Sequence, residues 1–412
     1  MRKLTLRFAT FALLASSALR AQTTTPPASP PPLSDTASAA YDRRENLPNL
    51  NVYLPEGQAS VRLRKLIKNV LFESQIDYRF ITGDISTFLR YKYYATNYTY
   101  RLGVFDEIGF PEVGSTNKNG NEFQRVRGGL LLFGFPRDYN HRYFWLLQDD
   151  RLTFGNLQNV DNKTNNVYTK LGWQYGTQFD ERLNAIVGES RGRITPVLTA
   201  FRDIGPQKTG LAAAITESSR VGTGGYRYTK LEGEGLKRTD ITATSFIFSR
   251  LHFGSFAGYQ KCKDDVLICR GQPIDTLAPI DRFSIPRYEM FDLGGREALK
   301  AVGAKDQSEG TQEVHLTNEF FVPIFRNRDL RTWSLHWNTM YGIGYLGAGT
   351  VGLHYSDLVK SSGAVVDAGL GSEMAITVRD FDVLLSVVYA HTLHAPPELK
   401  GSKVRFFIRT VR

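Results

Sequence analysis

The sequence predicts an all-β protein: a closed antiparallel transmembrane β-barrel of about 16 strands, within a range of about 12 to 16, with one short N-terminal amphipathic helix. Three observations carry this. Aromatic residues are abundant, with 20 Tyr and 26 Phe in 412 residues, yet the mean hydropathy of −0.29 is too polar for a bundle of membrane helices. The only long apolar run lies at the N-terminus. Further on, large apolar side chains alternate with small or polar ones over segments of roughly ten residues or more.

Residues 1–21 open with Arg2, Lys3 and Arg7, continue through an apolar stretch from Phe8 to Leu14, and reach the small residues Ala15, Ser16, Ser17 and Ala18. The apolar stretch is shorter than the roughly 20 residues of a membrane span. It predicts a secretory signal peptide, cleaved after Ala18 or Ala21. Its removal takes Arg2, Lys3, Arg7 and Arg20 and no acid, so the formal charge falls from +10 to +6. An exported, mildly basic chain whose Lys and Arg are dispersed among aromatics is not a nucleic-acid binder. Outer-membrane lipid is the better partner for that charge, and the cell outer membrane the expected location.

Residues 22–57 form a Pro/Thr-rich linker, with Pro26, Pro27, Pro30, Pro31 and Pro32 in a stretch too poor in large apolar groups to build a core. Residues 58–84 hold a basic amphipathic helix and lead-in: Leu63, Leu66, Ile67, Val70 and Leu71 recur at helical spacing, opposite Arg62, Arg64, Lys65 and Lys68. Such a helix packs across the barrel mouth or lies on the inner leaflet of the outer membrane.

From Ile85 to Arg412 the period is two, which assigns 85–412 to the barrel. Trp333, Leu335, Trp337, Thr339, Tyr341, Ile343 and Tyr345 share one face, against Ser334, His336, Asn338, Gly342 and Gly344. Val366, Ala368, Leu370, Met374, Ile376 and Val378 interleave with Asp367, Gly369, Gly371, Glu373, Ala375, Thr377 and Arg379. A soluble sandwich buries its apolar face and uses strands of about five or six residues. Longer strands with aromatics near their ends fit lipid outside and a polar lumen inside, and in hydrocarbon the sheet must close. The pattern predicts Leu335, Trp337, Ile343, Leu370 and Ile376 on the lipid face and Gln174 inside. It also predicts consecutive strands over 331–346, 364–379, 381–394 and 402–412, the last pairing with the segment near 86–95.

The C-terminal third carries a family resemblance. Leu293-Gly294-Gly295-Arg296-Glu297-Ala298-Leu299-Lys300-Ala301-Val302 resembles the Leu-Gly-Gly-x-x-x-(Leu/Val)-Arg-Gly-(Tyr/Phe) signature of the BamA, TamA and two-partner-secretion superfamily, the bacterial surface antigens. Behind it, Asn318 to Ile324 is similar to the family's Leu-Glu-x-Arg-Phe-Pro-Ile strand, and Tyr341-Gly342-Ile343-Gly344 stands where the family has Phe-Asp-x-Gly. Asp367 to Gly371, Leu384 to His391 and Gly401 to Arg412 resemble its last three strands. The resemblance implies that residues 293–311 are an external loop folded into the lumen, where the signature Arg meets an acidic wall residue. Lys300 replaces that Arg and keeps the charge while losing the bidentate fork. Glu319 and Glu373 are its candidate partners; an ordinary solvated lysine is the alternative.

The resemblance also implies a task, assembly or secretion of client outer-membrane or secreted polypeptides. Family members carry periplasmic POTRA domains of about 75 residues, and the chain has no room for one before its barrel, so a separate periplasmic subunit is an expected partner. The chain ends in Arg412 where the family ends in an aromatic. A passive, porin-like channel is the alternative task, and an outer-membrane lipid hydrolase a more distant one. The seven His are scattered and suggest no catalytic constellation, so the chain is read as a non-enzyme without metal or cofactor. Cys262 and Cys269 enclose six residues in a loop that export allows a disulfide to staple, with free thiols as the alternative.

Overall fold

A computed structural model describes residues 49–410 apart from segments 55–57, 68–69, 80–84, 95–97, 110–121, 138–140, 157–158, 176–208, 220–225, 260–267, 270–271, 274–284, 286–288, 295–297, 303–308, 333–334, 361–362 and 379–380. The wall starts with β1 (Asn49–Leu54), β2 (Gln58–Ile67), β3 (Val70–Arg79), β4 (Ile85–Tyr94), β5 (Thr99–Gly109) and β6 (Glu122–Pro136). It continues with β7 (His141–Asn156), β8 (Asn159–Tyr175), β9 (Thr209–Ser219), β10 (Tyr228–Asp240) and β11 (Phe246–Tyr259). Two small two-stranded sheets follow, β12 (Ile268–Cys269) with β13 (Gln272–Pro273) and β14 (Phe291–Asp292) with β15 (Glu309–Gly310). The wall resumes with β16 (Gln312–Thr332), β17 (Leu335–Gly352), β18 (Ala364–Val378), β19 (Phe381–His394) and β20 (Ser402–Thr410).

Among the described residues these sixteen wall strands pair each with the next, all antiparallel, and the ring closes where β1 meets β20. Closure gives every strand two neighbours, so no row of backbone donors is left for lipid to strand. The closing seam is short. It runs over four register pairs, from Asn51↔Arg409 to Leu54↔Phe406, whereas β19 and β20 share nine.

Side-chain polarity is inverted relative to a water-soluble protein. On β16, Leu316, Phe320, Val322 and Ile324 are exposed on the outer surface, while Glu313, His315, Thr317 and Glu319 are buried on the inner one. Strand β9 repeats this, with Leu211 and Ile215 outside and Thr216 and Ser218 inside. The inward charges are compensated in pairs: Lys170 to Glu232 at 3.0 Å, Lys230 to Glu232 at 3.1 Å, and Arg250 with Glu234. Beside the short turns the outer face carries aromatics stacked across strands, Tyr93 on Tyr100 at 5.3 Å, Phe133 on Trp145 at 5.7 Å and His141 on Trp173 at 5.8 Å. An apolar band bordered by such a girdle is the surface a bilayer covers.

Four sequence expectations need correction. Residues 58–79 are not a helix; they are β2 and β3, which turn Val61, Leu63 and Ile67, then Phe72, Ile76 and Tyr78, outward. In this short window Leu63, Ile67 and the residues beyond fit periods of 2 and 3.6 alike, and pairing along two neighbouring strands decides between them. The barrel therefore starts at Asn49, inside the presumed linker, and β20 closes on β1 and not on the segment near 86–95. The fourth concerns faces. Trp337 pairs with Ile376 but Thr339 with Ala375, so a bulge at Asn338 reverses the parity of everything after it. Ile343, expected on the lipid face, is buried inside together with Tyr341 and Tyr345. Leu370 does face outward, 74% exposed; Ile376 shares its parity but is covered by neighbours, 7% exposed. Residues 1–48, Gly295, Arg296 and Cys262 lie outside the described residues, and with them the signal peptide, most of the linker and the disulfide. The Gln174 side chain does too.

Candidate functional site

The segment between β11 and β16 returns into the barrel, and its berth is made by small residues. Gly347 and Gly349 sit on the inward face of β17. A Cβ on Gly347 would lie 2.8 Å from Leu299, and one on Gly349 would lie 2.9 Å from Leu293, too close for either leucine to stay. Both leucines are fully buried, and with Val302 they pack on Val365, Ala395 and Leu399. Ile285, Met290 and Phe291 fill the space against Phe88, Phe105, Tyr228 and Phe256. Burying side chains of this size is worth about 1.5 to 3 kcal/mol each, enough to hold the segment inside.

Locally the segment is a tight fold-back. The Leu299 N–H donates to the Leu293 carbonyl at 2.9 Å, and the Asp292 carboxylate accepts the Gly294 N–H at 2.8 Å. Lys300 then points along the wall to Glu319 on β16, Nζ to Oε1 2.6 Å, with its ammonium 4.9 Å from the centre of the Tyr345 ring. The backbone beside it is held from three further strands. The Tyr345 hydroxyl on β17 accepts the Lys300 N–H at 3.2 Å and donates to Asp367 Oδ1 on β18 at 3.0 Å. The other Asp367 oxygen accepts the Ala301 N–H at 2.8 Å. Arg405 on β20 donates from Nε to the Lys300 carbonyl at 2.7 Å and from its terminal nitrogen to the Val302 carbonyl at 2.5 Å. Four wall strands thus grip three consecutive residues, and the grip is non-covalent and directional.

Of the residues singled out in the sequence, Leu293, Gly294, Leu299 and Lys300 come together with Glu319. Glu373 is buried on β18, 3% exposed, and is not the partner that the Lys300 ammonium meets at 2.6 Å. Tyr345, Asp367 and Arg405 were missed. The unbroken alternation assigns Tyr345 to the wrong face, and Asp367 and Arg405 lie 66 and 105 residues from the backbone atoms they hold, beyond any local pattern. Arg405 follows Val404, which is exposed on the outer surface, and that alternation of apolar and charged residues is the signal for its inward direction. Farther along the wall, His252, Glu313 and His315 bring three metal-ligating side chains together.

No family model matches the chain, and no curated protein matches it in sequence. Solved structures do. The crystal structure of BamA from Haemophilus ducreyi lacking POTRA domains 1–3 superposes with a TM-score of 0.57 at 11% identity, over 88% of this chain and 69% of that one. CdiB from Escherichia coli gives 0.56 and CdiB from Acinetobacter baumannii 0.54, each at 11% identity and over 88% of this chain. The chain spans 62% and 59% of those two CdiB chains. At such identity the likeness speaks for architecture: the chain has the fold of a BamA- and CdiB-like sixteen-stranded barrel.

Proposed function

We propose that the chain is an outer-membrane barrel of the assembly or secretion type, whose wall parts between β1 and β20 to template or pass a client polypeptide. The observation that carries this is the double use of β20. The strand that joins β1 over four register pairs also holds the folded-in segment through Arg405, so the plug and the shortest ladder among the described wall strands share one element. A strand edge exposed by parting would offer unpaired backbone groups to an incoming chain, which is strand addition in a sheet. The plugged lumen favours this over a passive channel, which needs a continuous water path. A separate periplasmic subunit that delivers clients and outer-membrane lipid are the partners this reading entails, and the grip offers hydrogen-bonding groups for docking and not for bond cleavage.

The test is a reversible staple across the seam. Val52→Cys and Ile408→Cys, a register pair, are introduced where Cys262 and Cys269 are replaced by Ser. Antiparallel partners have Cα atoms about 4.5 to 5.5 Å apart, within disulfide reach. The protein in lipid vesicles is offered a urea-unfolded eight-stranded outer-membrane barrel. It should speed that barrel's folding when reduced and lose the effect when oxidised. Equal rates in both states, or no acceleration by the unstapled protein, overturn the reading.

A further inference from the structure

Two histidines and a glutamate meet on the lumen wall beside the plug. His252 lies on β11, Glu313 and His315 on β16, and the two histidines are direct register partners across the ladder. Their rings stack at 5.2 Å between centres. Glu313 lies between them: His315 Nδ1 is 2.7 Å from Oε1, and His252 Nδ1 is 3.5 Å from Oε2. One ligand atom from each of the three residues falls within 4.8 Å of the others. The cluster is enclosed, with His315 at 5% and Glu313 at 4% exposure. One of its ring nitrogens, His315 Nε2, is buried without a hydrogen-bond partner. Buried polar atoms in such a state are uncommon and ask for a ligand.

We infer that His252, Glu313 and His315 form a binding site for a divalent transition metal of the zinc type. Two imidazoles and one carboxylate are a borderline-soft nitrogen and oxygen set, suited to Zn²⁺ and unsuited to Ca²⁺ or Mg²⁺, which take oxygen ligands. Ligands about 2.0 to 2.1 Å from a tetrahedral Zn²⁺ stand about 3.4 Å apart, and the three ligand atoms here lie within 4.8 Å of one another, so the shell would have to tighten on binding. Three protein ligands leave a fourth position for water. Arg250, the neighbouring cation, is paired with Glu234.

The position gives the ion a consequence. β11 ends at Tyr259 and β16 begins at Gln312, so the ligands sit on the two strands between which the folded-in segment leaves and returns. His252 also meets the Phe291 ring of that segment, 6.2 Å between centres, and the His315 Cβ would be 2.7 Å from a Cβ on Gly349, in the berth of Leu293. A bound metal would tie β11 to β16 at the root of the plug. The inference stands whether or not the barrel handles polypeptides.

The experiment uses the full chain, folded in detergent and stripped with a chelator, titrated with Zn²⁺ and then with Co²⁺. The folded protein should take up one Zn²⁺, and His252→Gln, Glu313→Gln and His315→Gln should each weaken uptake by at least about tenfold, in the range that disturbing a metal shell produces. His336→Gln and His354→Gln, outside the cluster, should leave it unchanged. Folding of each variant is read separately from heat-modifiable migration on gels. Should the ligand variants misfold, X-ray absorption of the wild-type complex still decides, with two imidazoles in the zinc shell expected. No uptake by the folded wild type, uptake undiminished in the three variants, or a shell without two imidazoles overturns the inference.

Discussion

Replacing Arg405 by Met removes the guanidinium that holds two carbonyls of the plug while keeping an unbranched apolar stem. A hydrogen bond from a charged donor is worth about 1.5 to 3 kcal/mol net, and two to the same short segment do not add fully. The lumen is wetter than a core, so the low end applies and the pair should contribute about 2 to 3 kcal/mol to holding residues 300–302 in place. At 1.36 kcal/mol per factor of ten, that is about a 30- to 150-fold rise in the population of the released segment. The assay is amide exchange of the N–H groups of Lys300 and Ala301, which Tyr345 and Asp367 cover in the docked state. Both should exchange faster in Arg405→Met by that factor, while amides in the middle of β17 and β18 stay protected. Exchange at Ala301 within about threefold of wild type, in a variant whose barrel is folded, refutes the grip.

Three further outcomes are expected. Lys300→Glu sets a second carboxylate against Glu319 and should release the segment, raising conductance in planar bilayers, while Lys300→Arg should preserve the closed state; the native pair is worth about 1 kcal/mol in a wet lumen, and unchanged conductance in Lys300→Glu refutes its role. Leu370→Arg, on the outer face, should cost about 2 to 4 kcal/mol in folding into lipid, against nearly nothing for an equivalent change at the exposed loop residue Val359; equal costs refute the assigned lipid face. In the turn between β17 and β18, the Lys360 ammonium, 2.8 Å from Oδ1, and the His354 N–H hold the Asp357 carboxyl below its usual value. A depressed carboxyl stabilises the folded turn above its unfolded pKa and loses that contribution as pH falls through the folded one. Exchange of the His354 amide should therefore accelerate only below about pH 4, and Asp357→Asn should flatten the profile.

What the sequence disclosed follows from how far each interaction reaches. The strands at 364–378, 381–394 and 402–410 stand within a residue or two of where the alternation put them, because a lipid-facing strand repeats its polarity over its whole length. The first three strands were illegible because β2 and β3 are ten residues each, and apolar groups at Leu63, Leu66, Ile67, Val70 and Leu71 satisfy a helical stripe as well as a pleat. Only the ring, which needs β1 to receive β20, resolves the ambiguity. At the plug, Lys300 and Glu319 were legible through the order of their motifs. Asp367, Arg405 and the histidine pair were not, since contacts between residues so far apart in the chain leave no periodic trace in it.

The bulge at Asn338 links the two kinds of illegibility. Trp333 to Tyr345 alternates without a break in sequence, and an unbroken strand would carry Tyr341, Ile343 and Tyr345 into lipid with Leu335 and Trp337. One extra residue on β17 turns the three inward while Leu335 and Trp337 keep their lipid-side parity. The same step places Gly347 and Gly349 inside, where Leu299 and Leu293 need the absence of a side chain, and sends Leu346 out, 50% exposed. It also delivers the Tyr345 hydroxyl to Asp367 and Lys300. A bulge costs a ladder hydrogen bond locally, and here the register it sets is what gives the plug both its cavity and its phenol. The position of that one residue, not the composition of the strand, therefore decides whether the loop has anywhere to dock.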